Sequence, residues 1–221
     1  MEWSWHPVQL SFYVAGTATF ITFLLAVFAV FAVAVKKRKG RMLIETVFFM
    51  PLVLPPSVIG FILIVIFGNE GFIGKLIYRL TNSSVLFTST AAVIAAVTVS
   101  FPLVYQSLKS GFLSVDKNII NAAKVDGATD WTIFWKIILP LAKGSALTGV
   151  ILGFTRGFGE FGATFMFAGN IPGKTQTIPT AIYLAIEMGE MKIASYYALI
   201  SIAFSFLFLS IIHLKDKKKP A

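Results

Sequence analysis

Arg156 and Glu160 stand four residues apart in a run, Ser145 to Phe167, that holds no other charge. At that spacing two residues share a helix face and can pair. Charges inside an apolar span are costly unless paired or wetted, so such a pair marks a protein interior. Two roles fit it: an ion pair that holds a helical bundle, or a charged element in the path or gate of an anion. Catalysis fits less well. The chain has no cysteine, and its two histidines, His6 and His213, lie at opposite ends. A thiolate site is excluded, and no metal centre or histidine-based catalytic site is expected. Gly157, Gly159 and Gly162 spell G-x-G-x-x-G, but no strand precedes them and no βαβ unit surrounds them, so no dinucleotide and no other cofactor is expected. Gly153 and Gly157 spell G-x-x-x-G, which permits close helix contact.

A second group is Pro51, Pro55 and Pro56, within Met50 to Gly60. Prolines in an apolar span free backbone carbonyls, which protein or water must then satisfy. A kinked or broken helix lining a protein-filled or wet interior is expected, with a kink for packing alone as the alternative. Pro51, Pro55, Pro56, Arg156 and Glu160 are the pore or gate candidates.

The third group is polar. Asp116 to Leu141 lies between hydrophobic runs yet carries Asp116, Lys117, Asn118, Asn121, Lys124, Asp126, Asp130 and Lys136. Two short helices joined by a turn fit it. Asp116 can cap the first, which presents Ile119, Ile120, Ala123 and Val125. Gly127 breaks the run as a residue free to take positive φ. Thr129 or Asp130 can cap the second, where Trp131, Phe134, Ile137, Ile138 and Leu141 recur at helical spacing. Pro140 disturbs that helix near its end. The result is an amphipathic helix pair at a membrane face with one side free for a partner. An interfacial pair that only anchors the chain is the plainer alternative.

These groups need membrane spans to position them. Of 221 residues, 57% are hydrophobic and 13% charged, about half the charge usual in soluble domains. Leu10 to Val35 has no charged residue and is long enough to cross about 30 Å of hydrocarbon. Further spans are expected at Leu43 to Phe67, Ser89 to Leu108, Ser145 to Phe167 and Ser195 to Leu214. Trp3 and Trp5 read as interfacial anchors, Lys75 to Thr88 as a polar outer connection, and Glu45 as a carboxylate that water or a basic neighbour can reach. Ile178 to Met188 is too short to cross and reads as a re-entrant or surface helix on the outer side. Fourteen of the 19 basic residues fall in 36–41, 109–143 and 215–219, and only Lys75, Arg79, Lys174 and Lys192 fall in the segments between the other span ends. The positive-inside rule then gives five spans, N-terminus out and C-terminus in, at the cell membrane. It also argues that the net charge of +9 serves topology and not nucleic acid.

The polar stretch resembles the cytoplasmic loop of ABC importer permeases, Glu-Ala-Ala, three residues, Gly, nine residues, Ile-x-Leu-Pro. Ala122, Ala123, Gly127, Ile137, Leu139 and Pro140 keep that spacing; Asn121 stands where the loop has Glu. The resemblance implies a loop that couples to an ATPase, with Asp126 at its turn. Molybdate permeases of this class carry segments similar to Met50–Gly60, to Gly68–Gly74, and to Arg156–Ala163 followed by Asn170–Pro179. The fold implied is an all-helical polytopic membrane protein, one transmembrane permease domain over 1–221, with about five spans and a cytoplasmic coupling helix pair over about 116–141. The function implied is the pore-forming subunit of an ATP-driven oxyanion importer. Its partners would be two ATPase subunits, an extracytoplasmic oxyanion-binding protein, a second copy of the chain and membrane lipid. The chain has no G-x-x-x-x-G-K-[ST] pattern, so ATP hydrolysis would belong to a separate subunit. Tungstate, sulfate or thiosulfate are rival cargoes. A secondary transporter or channel is the rival from another class, against which stands the absence of a visible internal repeat. A membrane scaffold that transports nothing is a further rival.

Overall fold

The computed structural model describes residues 3–35 and 40–216, and the described residues that are regular are all helical. The basic run at 36–39 and most of the one at the C-terminus lie outside the described residues. Among the described residues, three continuous helices are long and apolar enough to cross a membrane: His6–Val33, Ser89–Leu113 and Met191–Phe208. Two bent helix pairs, Arg41–Val53 with Pro56–Phe67 and Asp130–Leu141 with Lys143–Phe158, raise the total to as many as five if each pair is counted as one span.

In chain order the elements are α1 (His6–Ala29, closing in a π turn, Val30–Val35), α2 (Arg41–Val53), α3 (Pro56–Phe67), α4 (Phe72–Thr81) and α5 (Ser89–Leu113). Then come α6 (Lys117–Val125), α7 (Asp130–Ile133), a π turn (Phe134–Ile138), α8 (Leu139–Leu141) and α9 (Lys143–Phe158). The chain ends with α10 (Gly162–Ala168), α11 (Ile178–Glu187) and α12 (Met191–Asp216).

The centre is a bundle of α1, α5 and α9, and small residues make it. Ala15, Ala18 and Ala26 of α1 and Ala91, Ala92, Ala95 and Ala96 of α5 are all sealed from solvent. On α9, Gly153 sits so close to α5 that a Cβ there would stand 2.7 Å from Cγ2 of Val104, and Gly157 faces Ala15 and Ala96. Between helices in lipid the driving force is close packing, which small side chains permit. Thr22 and Ser100 add a buried hydroxyl contact of 3.2 Å between α1 and α5. Buried side chains gather into one apolar cluster around α3, α10 and the start of α5, and a second around the end of α5, the end of α1 and the 133–142 segment. A third joins α1, α11 and α12, where Tyr197 is sealed under the stacked ring of Trp3 at 4.5 Å. Trp3 is thus tied to α12 as well as exposed.

Two sequence expectations change. Lys75 to Thr88 is not all connection: it begins inside α4, where Phe72, Ile73, Leu76, Ile77 and Leu80 recur at helical spacing among polar residues. The run Ser145 to Phe167 is not one rod: helix ends at Phe158, residues 159–161 are irregular, and helix resumes at Gly162. Ile178–Glu187 is a ten-residue helix, too short to cross. It packs on α12 and receives a buried tie from α1, with the Ile178 N–H donating to Ser11 Oγ at 2.8 Å.

Candidate functional site

Two spans are broken, and the breaks meet. The first lies at Leu54–Pro55. Leu54 and Pro55 both precede a proline, and both adopt ψ 141°, the extended conformation forced when the next ring crowds the backbone. Two extended residues in succession cannot continue a helix, so the chain bends by 118° between α2 and α3. Pro56 then serves as the first residue of α3, where its missing N–H is no loss. Pro51 is different: it sits inside α2, which continues past it to Val53.

The second break holds Glu160. Arg156, on the last turn of α9, donates from Nη1 to Glu160 Oε2 at 2.6 Å. The pair expected from the spacing is formed, but Glu160 is not on the helix with Arg156. It lies in the interruption, and its other oxygen, Oε1, accepts from the Ala163 N–H at 2.8 Å. One carboxylate therefore closes α9 through Arg156 and opens α10 by capping a free N–H. The Glu160 side chain is 2% exposed and that of Arg156 is 31% exposed. The charge that is sealed is the acid, and it has two donors; the base keeps an exposed side.

α3 and α10 lie side by side and run the same way from these breaks. A Cβ at Gly162 would stand 2.5 Å from Cβ of Pro56, and one turn on, a Cβ at Gly60 would stand 2.5 Å from Cβ of Met166. Only glycine fits at either point of approach. Two half-helices starting at one level and locked through two glycines pack together against the start of α5.

The polar loop forms as a helix pair. Asp116 caps α6, its carboxylate accepting from the Asn118 N–H at 2.8 Å. Gly127 has φ +83°. The Gly127 N–H donates to Lys124 O at 3.0 Å and the Ala128 N–H to Ala123 O at 2.9 Å, the paired reverse bonds of a Schellman motif. Asp126 is the C-cap residue before that glycine. Thr129, not Asp130, caps α7, and Asp130 instead pairs with Lys124 across the turn at 3.3 Å. Ile120, Ala123 and Ala128 face the second apolar cluster, while Asn121, Ala122 and Val125 face outward, Val125 at 87% exposure. Ile137 and Leu139 pack against the same cluster and Pro140 is exposed. The π turn at Phe134–Ile138 lies immediately before Pro140, which has no N–H for a bond to Lys136 O. The wider turn accommodates the ring, and Leu139 N–H bonds back to Phe134 O. Beyond Leu141 the chain turns by 76° into α9.

Two interrupted helical runs around a small-residue bundle, with an amphipathic helix pair at one end, make an arrangement with known counterparts. Residues 22–219 match the family model described as binding-protein-dependent transport system inner membrane component. The chain belongs to this family. It is accordingly a multi-pass inner membrane protein, the permease component of a transport system that depends on a binding protein and not its enzyme. Among curated relatives of this permease, the putative molybdenum transport system permease protein YvgM of Bacillus subtilis is 50% identical over 95% of this chain and 92% of its own length. The molybdenum transport system permease protein ModB of Escherichia coli K12 is 37% identical over 94% of this chain and 91% of its own. A solved bacterial alginate ABC transporter, in complex with an alginate pentasaccharide-bound periplasmic protein, has a chain of the same fold. It superposes with a TM-score of 0.75 at 14% identity, over 98% of this permease and 80% of that chain.

In this permease the sequence-marked residues fall into two places. Pro55, Pro56 and Glu160 converge where the breaks meet, with Arg156 one turn below; Pro51 stands apart, within α2. In the polar loop Asn121, Ala122, Asp126, Gly127 and Pro140 are exposed, while Ala123, Ile137 and Leu139 pack against the second cluster. Sequence reading did not find the locking glycines Gly60 and Gly162, although Gly60 follows the prolines and Gly162 follows the acid. It also did not find that Glu45 gathers three donors on one oxygen.

Proposed function

We propose that the chain, as one transmembrane domain over 1–221, is the pore-forming subunit of an ATP-driven molybdate importer. The observation that carries this is the likeness to molybdenum permeases, which holds at 50% identity across 95% of the chain. Two copies would form the pore. In support, no residue of α2 is buried within a single chain, and its apolar side chains Met42, Leu43, Val47 and Val53 are 61–85% exposed. A cavity of about 800 Å³ opens along the same helix, lined by Arg41, Glu45, Phe49, Met50 and Leu54 among others. An open half-cavity on an unburied apolar helix is what one half of a pore requires. The N-terminus is outside and the C-terminus inside, as the basic residues direct.

Two ATPase subunits dock on α6–α8, using the outward face of Asn121, Ala122 and the Asp126–Gly127 turn, with Ile137, Leu139 and Pro140 fixing the second arm. An oxyanion-binding protein delivers cargo on the opposite side. When the ATPases close, the helix pair moves with the ends it joins, α5 and α9. The α3–α10 unit is the gate, because it is packed as one piece and hinged at both breaks. Arg156 and Glu160 hold the α9 hinge. Arg156 keeps an exposed side from which its charge can favour a passing dianion. Deleting the gene should create a demand for high external molybdate in a molybdoenzyme assay. Failure on sulfate as sole sulfur source, with normal molybdoenzymes, would move the assignment to another oxyanion.

A further inference from the structure

Glu45, which also lines the cavity along α2, gathers three donors on one carboxylate oxygen. Its Oε1 takes a hydrogen bond from Tyr105 Oη at 2.8 Å and ion pairs with Lys109 Nζ at 2.9 Å and Arg41 Nε at 3.0 Å. Arg41 is one turn back on α2; Tyr105 and Lys109 are on α5. The side chains of Glu45 and Lys109 are 15% and 17% exposed, so the pair is largely shielded and its charge-assisted bonds are strong ones. Tyr105 is sealed completely, with its ring edge-on to Phe48 and Phe49 of α2 at 5.1 and 6.0 Å between centroids.

Three facts give this cluster a consequence. First, α2 has no buried residue, so few contacts other than Glu45 and the two phenylalanine rings hold it against the bundle. Second, the α5 end that receives Glu45 is also the end that leads into the polar loop, and Ser107 Oγ ties it to α9 by donating to Ser145 O at 2.8 Å. Third, α2 runs on to the Pro55–Pro56 break, whose far side is locked to Gly162 beside Glu160. α2 is thus a lever with one end on the loop's base and the other at the break. Glu45 fixes the first end.

We infer that Glu45 is a positioning residue for transport: through Lys109 and Tyr105 it makes α2 follow α5, so that motion of the loop reaches the break. Glu45 has this role only if α6–α8 dock the ATPase, as proposed above. The joint stays closed through the cycle; its task is to transmit, not to open. Loss of the carboxylate leaves two cations without their acceptor and frees α2 from α5. ATP hydrolysis by the partner should then continue while uptake per ATP falls about tenfold or more, in keeping with the loss of charge-assisted bonds.

The cysteine-free chain permits a direct test. A Glu45→Cys/Lys109→Cys variant is reconstituted in proteoliposomes with its ATPase and binding protein, beside the wild type and Glu45→Gln. Radiolabelled molybdate uptake and ATP hydrolysis are read together. With the thiols free, hydrolysis should persist and uptake per ATP should collapse; joining the two cysteines with a short, cleavable bis-methanethiosulfonate should restore it, and cleavage should abolish it again. Glu45→Gln, which keeps the shape, covers the case in which the double variant does not assemble, and should show the same split. Unchanged uptake per ATP in the variants would overturn the inference, and so would uptake and hydrolysis that decline in proportion, since that marks mere loss of folded complex. A bridged protein that stays uncoupled would overturn it too, because the joint would then have to open. A wild-type complex that takes up no molybdate on ATP would instead refute the proposed function, so the two failures are distinguishable.

Discussion

Replacing Gly127 should separate assembly in the membrane from coupling to ATP. Gly127 holds φ +83° at the turn between α6 and α7. No atom lies within 4 Å of where a Cβ would stand, so the cost of adding one lies in the backbone. Alanine in this left-handed region costs about 1 kcal/mol, and a β-branched residue about 2 kcal/mol or more. At about 1.4 kcal/mol per tenfold, Gly127→Val shifts the turn's local equilibrium roughly 30-fold. The two reverse bonds at 3.0 and 2.9 Å are what that shift breaks. With them goes the angle at which α6 meets α7. The spans do not contain this turn, so yield and membrane insertion should stay near those of the parent. Co-purification of the ATPase and ATP-dependent uptake in proteoliposomes should fall steeply for Gly127→Val and modestly for Gly127→Ala. Full coupling in the Gly127→Val protein would show that this turn is not part of the joint.

Three further outcomes follow from other parts of the molecule. Arg156→Gln strands a carboxylate that is 2% exposed, at a cost of about 3 kcal/mol or more, whereas Glu160→Gln keeps an acceptor for the Ala163 N–H and leaves a base that is 31% exposed. Thermal denaturation of the purified protein should therefore rank Arg156→Gln well below Glu160→Gln; the reverse order would refute the assignment of the buried charge to the acid. Gly162→Val must displace Pro56, since even a Cβ would come within 2.5 Å of it, and such overpacking costs about 1–3 kcal/mol. It should block uptake while ATPase co-purification survives, and normal uptake would show that α3 and α10 need not pack as one unit. Cysteines placed at Gly40 and Lys174 should label from the inside and the outside respectively; an inward Lys174 would contradict five spans.

What was legible in the sequence was local. The polar loop could be read because a cap, a left-handed glycine and a helical repeat each act within a few residues. Asp116, Gly127 and Thr129 do what their types dictate. The Pro55–Pro56 break was legible for the same reason: a proline constrains the residue before it. Contacts distant in the chain were not legible. The meeting of Pro56 with Gly162, and of Glu45 with Tyr105 and Lys109, joins residues that no periodicity relates. Glu160 lay between the two cases. Its spacing from Arg156 announced the pair, but the flanking Gly159 and Phe161 did not reveal that the helix stops and that the acid caps the next one. α4 was misjudged because its polar residues outweighed its repeat, although a surface helix needs only one apolar stripe.

We propose that this chain carries molybdate across a membrane on the strength of ATP hydrolysed by a partner. The measurement that meets it most directly is uptake of radiolabelled molybdate into proteoliposomes holding the chain with its ATPase, and with the binding protein added on the other side. Uptake should require ATP and the binding protein together, should be competed by unlabelled molybdate, and should ignore excess sulfate. Uptake that proceeds without ATP or without the ATPase, driven by an ion gradient alone, would contradict the account.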